Sequence, residues 1–92
     1  MSILVRFTPT SLTAERYEEA SRRVGEALGW PPEGLDIHVC FGEEGSLQVS
    51  EVWDSREQFE AVRERLLGAV GEAGVEFSAE PEIFEIHNIA RR

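Results

Sequence analysis

The chain has 92 residues, of which 41% are hydrophobic and 29% are charged, and its formal net charge is -9. This length predicts a single domain over residues 1–92, and the composition is typical of a globular protein with a thin core. Because the negative charge repels phosphate groups, we expect neither nucleic acid nor an anionic membrane surface as a partner.

Cysteine usage and the N-terminal residues predict a cytoplasmic protein. Cys40 is the one cysteine, so no internal disulfide can form, which fits a reducing compartment. The first residues show neither the apolar run nor the cleavage site of a signal peptide. No stretch approaches the roughly 20 apolar residues that a membrane span requires.

The first third of the chain predicts a strand followed by a helix. Apolar residues alternate at period two over residues 3–8, and Pro9 ends this strand. Thr13 is a suitable N-cap for the next segment, in which apolar residues recur at helical spacing. Gly29 suits the position after a helix, so the pattern predicts a helix over residues 14–28.

The remainder predicts a hairpin, a second helix and a last strand. Residues 35–41 and 47–53 alternate as strands, joined by the four-residue loop 42–45. Ser55 and Gln58 form a capping box, which predicts a helix over residues 56–73. Residues 75–81 predict a loop or an edge, and residues 82–89 predict a strand.

The element order β-α-β-β-α-β is typical of a ferredoxin-like α+β fold, with two helices on one face of a four-stranded antiparallel sheet. The other face is left open and is partly apolar, with Leu4, Cys40 and either Val52 or Trp53 on it. An uncovered face of this kind favours a partner. We therefore expect a homodimer in which two sheets face each other as a dimeric α+β barrel around a cavity.

Residues 51–59, Glu-Val-Trp-Asp-Ser-Arg-Glu-Gln-Phe, together with the hairpin before them, resemble the antibiotic-biosynthesis-monooxygenase-like proteins of the dimeric α+β barrel superfamily. In that group an acidic and an aromatic residue alternate at the end of the third strand, before a Ser-x-x-x-Phe helix start. The resemblance implies a homodimer. Some members oxidise aromatic polyketides with dioxygen and without metal or flavin, and others degrade haem or act on quinols.

Two departures from the group argue against haem cleavage. Val62 and Arg63 occupy the region where the second helix often carries a histidine, and Arg6 stands where the haem-degrading branch expects an asparagine. The resemblance then implies no cofactor, and a small aromatic ligand or quinol in the cavity.

The two histidines, His38 and His87, are the candidate bases, because an imidazole titrates near neutral pH. If the apolar residues flanking His38 in its strand face the helices, then His38 faces the cavity between subunits. The alternative is an interface histidine that only makes hydrogen bonds. His87 shares a face with Glu85, which we count among the ligand-lining residues.

Arg6 lies on a central strand, where a charged side chain is uncommon unless it has a partner or a function. It can steady a developing oxyanion or form an ion pair with Glu51 or Glu85. Trp53 can stack on an aromatic ligand or belong to the core or the dimer interface. The phase of its strand is ambiguous, and only the resemblance implies that Glu51 and Trp53 face the cavity.

Cys40 is either a nucleophile or, more simply, a small buried apolar residue. We expect Trp30 to form a lid over the end of the first helix. We expect Tyr17 to be a core residue whose hydroxyl lies near the rim. No carboxylate stands at a metal-ligand spacing from either histidine, so no metal site is predicted.

Two functions follow as hypotheses. The first is a cofactor-independent monooxygenase that acts on a small aromatic or quinol substrate, with His38 or His87 as base, Arg6 at the oxyanion and Trp53 on the ring. The second is a non-catalytic dimeric module that binds a small ligand or a protein.

Overall fold

The computed structural model describes residues 1–92 as six strands and two helices. Their order along the chain is β1 (Ile3–Phe7), β2 (Pro9–Thr10), α1 (Ala14–Leu28), β3 (Leu35–Phe41), β4 (Gln48–Trp53), α2 (Arg56–Glu72), β5 (Glu76–Phe77) and β6 (Glu82–Glu85). The longer elements follow the predicted β-α-β-β-α-β order.

The main sheet has four strands in the order β3-β4-β1-β6, and all its neighbours are antiparallel. The edges are therefore β3 and β6, as the ferredoxin-like pattern predicts. Two short strands, β2 and β5, pair with each other as a separate two-stranded sheet. The sequence pattern did not predict β2, and β5 lies in the segment 75–81 that it predicts as a loop or an edge. This small sheet fastens the chain after β1 to the segment that follows α2.

The core lies between one face of the main sheet and the two helices. Alternation along β1 buries Ile3, Val5 and Phe7 on this face, and the aromatic ring of Trp53 joins them from β4. Phe59 of α2 packs edge-on against Trp53, with ring centroids 5.5 Å apart. Full burial of each such side chain stabilises the fold by about 1.5–3 kcal/mol.

Side-chain caps fix where both helices begin. The hydroxyl oxygen of Thr13 accepts from the backbone N–H of Arg16 at 3.1 Å, and that of Ser55 accepts from Gln58 at 3.2 Å. Each cap satisfies an N–H group that has no partner within its helix. Both starts agree with the sequence prediction, and α2 ends one residue earlier than predicted.

A β-bulge in β3 reverses the expected orientation of that strand. Leu35 pairs with Trp53, but Ile37 pairs with Val52, so two residues of β3 stand opposite one of β4. The extra residue shifts the alternation by one position. His38 therefore lies on the helix face, opposite Glu51, and not on the open face where the unbroken alternation placed it.

The face of the sheet away from the helices carries several exposed apolar side chains. Val39, Phe41 and Phe84 are 44%, 46% and 44% exposed. Cys40 was expected on this face, but the same bulge turns it to the helix side, where it pairs with Val49. The last strand is shorter than the predicted span of residues 82–89: β6 ends at Glu85.

Candidate functional site

An apolar cavity opens between the main sheet and the two helices α1 and α2. It offers about 70 Å³ to the centre of a water molecule, which suits a group of roughly one aromatic ring. Twelve of its 16 lining residues are hydrophobic. The cavity lies within one chain. The cavity that we expect between two subunits is a separate feature and stays a prediction.

A chain of hydrogen bonds forms the polar wall of this cavity. The indole N–H of Trp53 donates to Oε1 of Glu51 at 3.0 Å. Oε2 of Glu51 lies 2.7 Å from Nδ1 of His38, and Nε2 of His38 lies 2.7 Å from the hydroxyl of Tyr17. The chain thus runs from the core to a phenol on the cavity wall.

The partners of Glu51 determine which nitrogen of His38 carries the proton. Glu51 is 3% exposed, and each of its two carboxylate oxygens accepts one hydrogen bond. Because a carboxylate can only accept, Nδ1 of His38 is the donor. In the neutral imidazole, Nε2 then carries a lone pair that faces Tyr17 and the cavity.

Tyr17 contributes the only phenol of the chain, from the first half of α1. Burial raises the pKa of this hydroxyl above its ordinary value of 10.0. Tyr17 therefore stays protonated at neutral pH and can donate its hydrogen to Nε2 of His38. Its ring also stacks on the imidazole, with centroids 5.9 Å apart.

Trp30 covers the outer side of His38. Its ring meets the imidazole edge-on at 5.2 Å between centroids, and it also lines the cavity. Trp30 remains 52% exposed, because it lies in the loop between α1 and β3. Trp30 therefore lies beside the imidazole at the cavity, and its role as a lid over the helix end stays a prediction.

Arg6 lies on the open face of the sheet, away from the cavity. Its guanidinium contacts Oε1 of Glu82 through two nitrogens, at 2.8 and 3.0 Å, and lies 5.5 Å from the ring centre of Phe84. The ion-pair interpretation holds, but the partner is Glu82, the residue directly opposite in the sheet, and not Glu51 or Glu85. From this face Arg6 cannot reach an oxyanion in the cavity.

The remaining candidates lie outside the cavity wall. His87 is exposed beyond the end of β6, and Glu85 is exposed at the edge of the sheet, opposite Ile3. Cys40 is half-buried near the cavity, and burial raises the pKa of its thiol, which disfavours the nucleophilic thiolate. Trp53 is 1% exposed and belongs to the core, where only its N–H takes part in the polar chain.

Sequence reasoning did not identify the pairing of His38 with Glu51 or the contact of His38 with Tyr17. The hairpin could have indicated the pairing of His38 with Glu51, because residues at equal distances from a hairpin turn lie opposite each other. The predicted loop ended at residue 45, whereas the observed loop spans residues 42–47 and moves the partner of His38 from Val49 to Glu51. No local pattern indicates the contact with α1.

Two classes of site find no support in the geometry. No three side chains among His, Cys, Asp and Glu come together as a metal ion would require. Neither helix combines the length and the apolar run that crossing a bilayer demands.

Several solved structures share the architecture of this chain. They include a mutant of SnoaB, a cofactor-independent oxygenase from Streptomyces nogalater, at 17% identity and a TM-score of 0.65, with 99% of this chain and 96% of that chain covered. Rv0793 from Mycobacterium tuberculosis matches at 13% identity and a TM-score of 0.55, over 98% of this chain and 95% of that chain.

A candidate antibiotic biosynthesis monooxygenase from Chloroflexus aurantiacus matches at 14% identity and a TM-score of 0.57, over 97% of this chain and 95% of that chain. No family model and no curated protein matches the chain by sequence. At these identities the likeness establishes the fold, over nearly the whole length of both partners. The chain therefore has the same ferredoxin-like α+β fold as these solved structures, which is the fold that the resemblance of residues 51–59 predicts.

Proposed function

We propose that the chain is a cofactor-independent oxygenase that acts on a small phenol or quinol bound in the cavity between the sheet and the two helices. The observation that carries this proposal is the Glu51–His38–Tyr17 chain, which brings an oriented imidazole to the wall of an apolar cavity. A base that is held by a buried carboxylate and faces an apolar chamber suits proton abstraction from a bound hydroxyl group.

His38 is the proposed base. A substrate hydroxyl that takes the place of the Tyr17 hydroxyl at Nε2 would transfer its proton there, and Glu51 would stabilise the resulting imidazolium through Nδ1. The substrate anion would be electron-rich enough to reduce dioxygen, and the apolar wall would keep water away from the reduced oxygen. Tyr17 remains within reach as a hydrogen-bond donor to the developing oxyanion.

The two histidines supply a matched test of this proposal. Oxygen uptake is measured with a panel of single-ring phenols and hydroquinones, for the unaltered protein, His38→Gln and His87→Gln. Because general-base catalysis contributes about 10²–10⁴-fold, we expect His38→Gln to lose that much activity. We expect His87→Gln to keep full activity. Equal losses in the two variants, or no oxygen uptake with any compound, would refute the oxygenase.

A non-catalytic ligand-binding module is the second candidate. The observation that favours it is the hydrogen bond between the Tyr17 hydroxyl and Nε2 of His38, because this bond already occupies the nitrogen that would act as the base. Ligand binding without oxygen uptake across the same panel would identify this function.

We further propose that two copies pair through their open sheet faces as a dimeric α+β barrel. The support is the group of exposed apolar side chains there, among them Val39, Phe41 and Phe84. Sedimentation equilibrium at micromolar concentration tests this assembly. A monomer that persists at these concentrations, or a dimer that is unaffected by Phe41→Lys, would contradict it.

A further inference from the structure

The wall of the cavity carries a negative charge and no positive one. The polar groups on its wall belong to Tyr17, Ser21, Trp30, His38 and Glu51, and no lysine or arginine lines it. Glu51 brings a buried negative charge, and the chain as a whole carries a net charge of -9. The wall can therefore accept or donate single hydrogen bonds, but it offers no cation to an incoming anion.

Most of the cationic side chains of the protein bind partners outside the cavity. All nine are arginines, since the chain has no lysine. Six of them bind acceptors that are not part of the cavity wall. These six pairs are Arg6 with Glu82, Arg16 with the carbonyl of Gly74, Arg22 and Arg23 with Glu19, Arg63 with Glu80, and Arg91 with Asp36.

We infer that the cavity selects uncharged, hydroxyl-bearing single-ring aromatic compounds and rejects their carboxylate-bearing analogues. This inference rests on the proposed function in that it names the charge class of the ligand for the same cavity. It does not depend on whether the ligand is then oxygenated.

The physical reason is the balance between lost hydration and gained contacts. A carboxylate that enters an apolar cavity loses its water, and only a nearby cation or several hydrogen-bond donors could replace that water. Here it would instead meet the charge of Glu51 across a medium of low dielectric constant, which is repulsive. An uncharged phenol loses far less hydration, and its hydroxyl finds a partner at Nε2 of His38 or at the hydroxyl of Tyr17.

The test uses three compounds on one frame and excludes oxygen, so that binding is measured without turnover. These are 4-hydroxyacetophenone, which is uncharged, 4-hydroxybenzoate, which has nearly the same shape and a negative charge, and acetophenone, which lacks the hydroxyl. Anaerobic titration calorimetry at pH 7 gives each dissociation constant. We expect the uncharged phenol to bind at least about tenfold more tightly than either of the other two compounds.

A matched pair of variants separates charge from shape. Ser21 lines the cavity from an exposed position on α1, and its side chain lies near the Tyr17 hydroxyl. Both substitutions remove this contact alike, so the comparison between the two variants isolates the effect of charge. Ser21→Lys places a cation at the rim, and Ser21→Gln adds similar bulk without charge. We expect Ser21→Lys to tighten 4-hydroxybenzoate about fivefold or more relative to 4-hydroxyacetophenone, and Ser21→Gln to leave the ratio unchanged.

Each outcome decides the inference. The expected order of affinities, with a shift of the ratio in Ser21→Lys alone, supports it. Equal affinity for the phenol and its carboxylate analogue overturns it, as does tight binding of acetophenone or the same ratio in both variants. A protein that shows the expected selectivity and consumes no oxygen would refute the oxygenase and leave the ligand class standing.

Discussion

Replacement of Glu51 by glutamine tests how the polar chain is oriented. The glutamine keeps the size of the side chain but has one acceptor and one donor group. The buried N–H of Trp53 needs an acceptor, so the amide oxygen must face it. The amide NH₂ group then faces Nδ1 of His38, which can only accept. The proton of the imidazole is therefore forced onto Nε2.

The stability cost of this change follows from the contacts it retains. Both hydrogen bonds of Glu51 persist in Glu51→Gln, and each loses its charge-assisted character, worth about 1 kcal/mol. Removal of a buried carboxylate offsets part of this loss. We expect the free energy of unfolding to fall by about 1 kcal/mol. Glu51→Leu leaves both the Trp53 and the His38 groups without a partner and should cost about 2–5 kcal/mol.

Two measurements report the predicted shift of the His38 proton from Nδ1 to Nε2. The ring ¹⁵N chemical shifts should move from the Nδ1–H form in the unaltered protein to the Nε2–H form in Glu51→Gln. Oxygen uptake should fall about 10²–10⁴-fold, because the nitrogen that faces the cavity no longer has a free lone pair. Glu82→Gln, on the open face, is the control and should change neither. Retention of the Nδ1–H form in Glu51→Gln would refute this account of the chain.

Three further predictions concern single side chains. The absorbance titration at alkaline pH reports Tyr17 alone, and its midpoint should lie above 10.0, because burial raises the pKa of this group. The folded protein then holds this proton more tightly than the unfolded chain, so stability should fall as the pH rises from about 10 through the folded pKa, and Tyr17→Phe should remove this slope. Phe59→Ala should lower the free energy of unfolding by about 3–5 kcal/mol in urea titrations, because the ring is fully buried between Phe7 and Trp53. Arg6→Gln should cost less than about 1 kcal/mol and leave oxygen uptake unchanged, because its pair with Glu82 is exposed; a larger effect on uptake would place Arg6 in the site after all.

Local signals determined most of the fold. The caps at Thr13 and Ser55 and the period of the apolar residues predicted both helices within one residue of their observed ends. The alternation of β1 predicted which of its residues are buried. The two-stranded sheet of β2 and β5 was not predicted, because two-residue strands are too short to show a period and form only through pairing of distant segments.

The site was harder to predict, because it depends on two features without a sequence signature of their own. The bulge next to Asp36 reverses the faces of β3, and nothing in an alternating apolar pattern reveals an inserted residue. The hairpin loop is longer than its glycines suggest, since Leu47 leaves the strand to bond the carbonyl of Leu12. His38 was therefore identified as a candidate base, but its face and its partners were not.

The position of the cavity on the helix side of the sheet has a consequence for stoichiometry. If two chains pair through their open faces, their cavities lie on opposite sides of the double sheet, and each is complete within its own chain. One ligand should then bind per chain, with a hyperbolic isotherm and with an affinity that does not change as the protein concentration shifts the assembly. Association and ligand binding would be thermodynamically independent, so a variant that separates the chains should still bind its ligand.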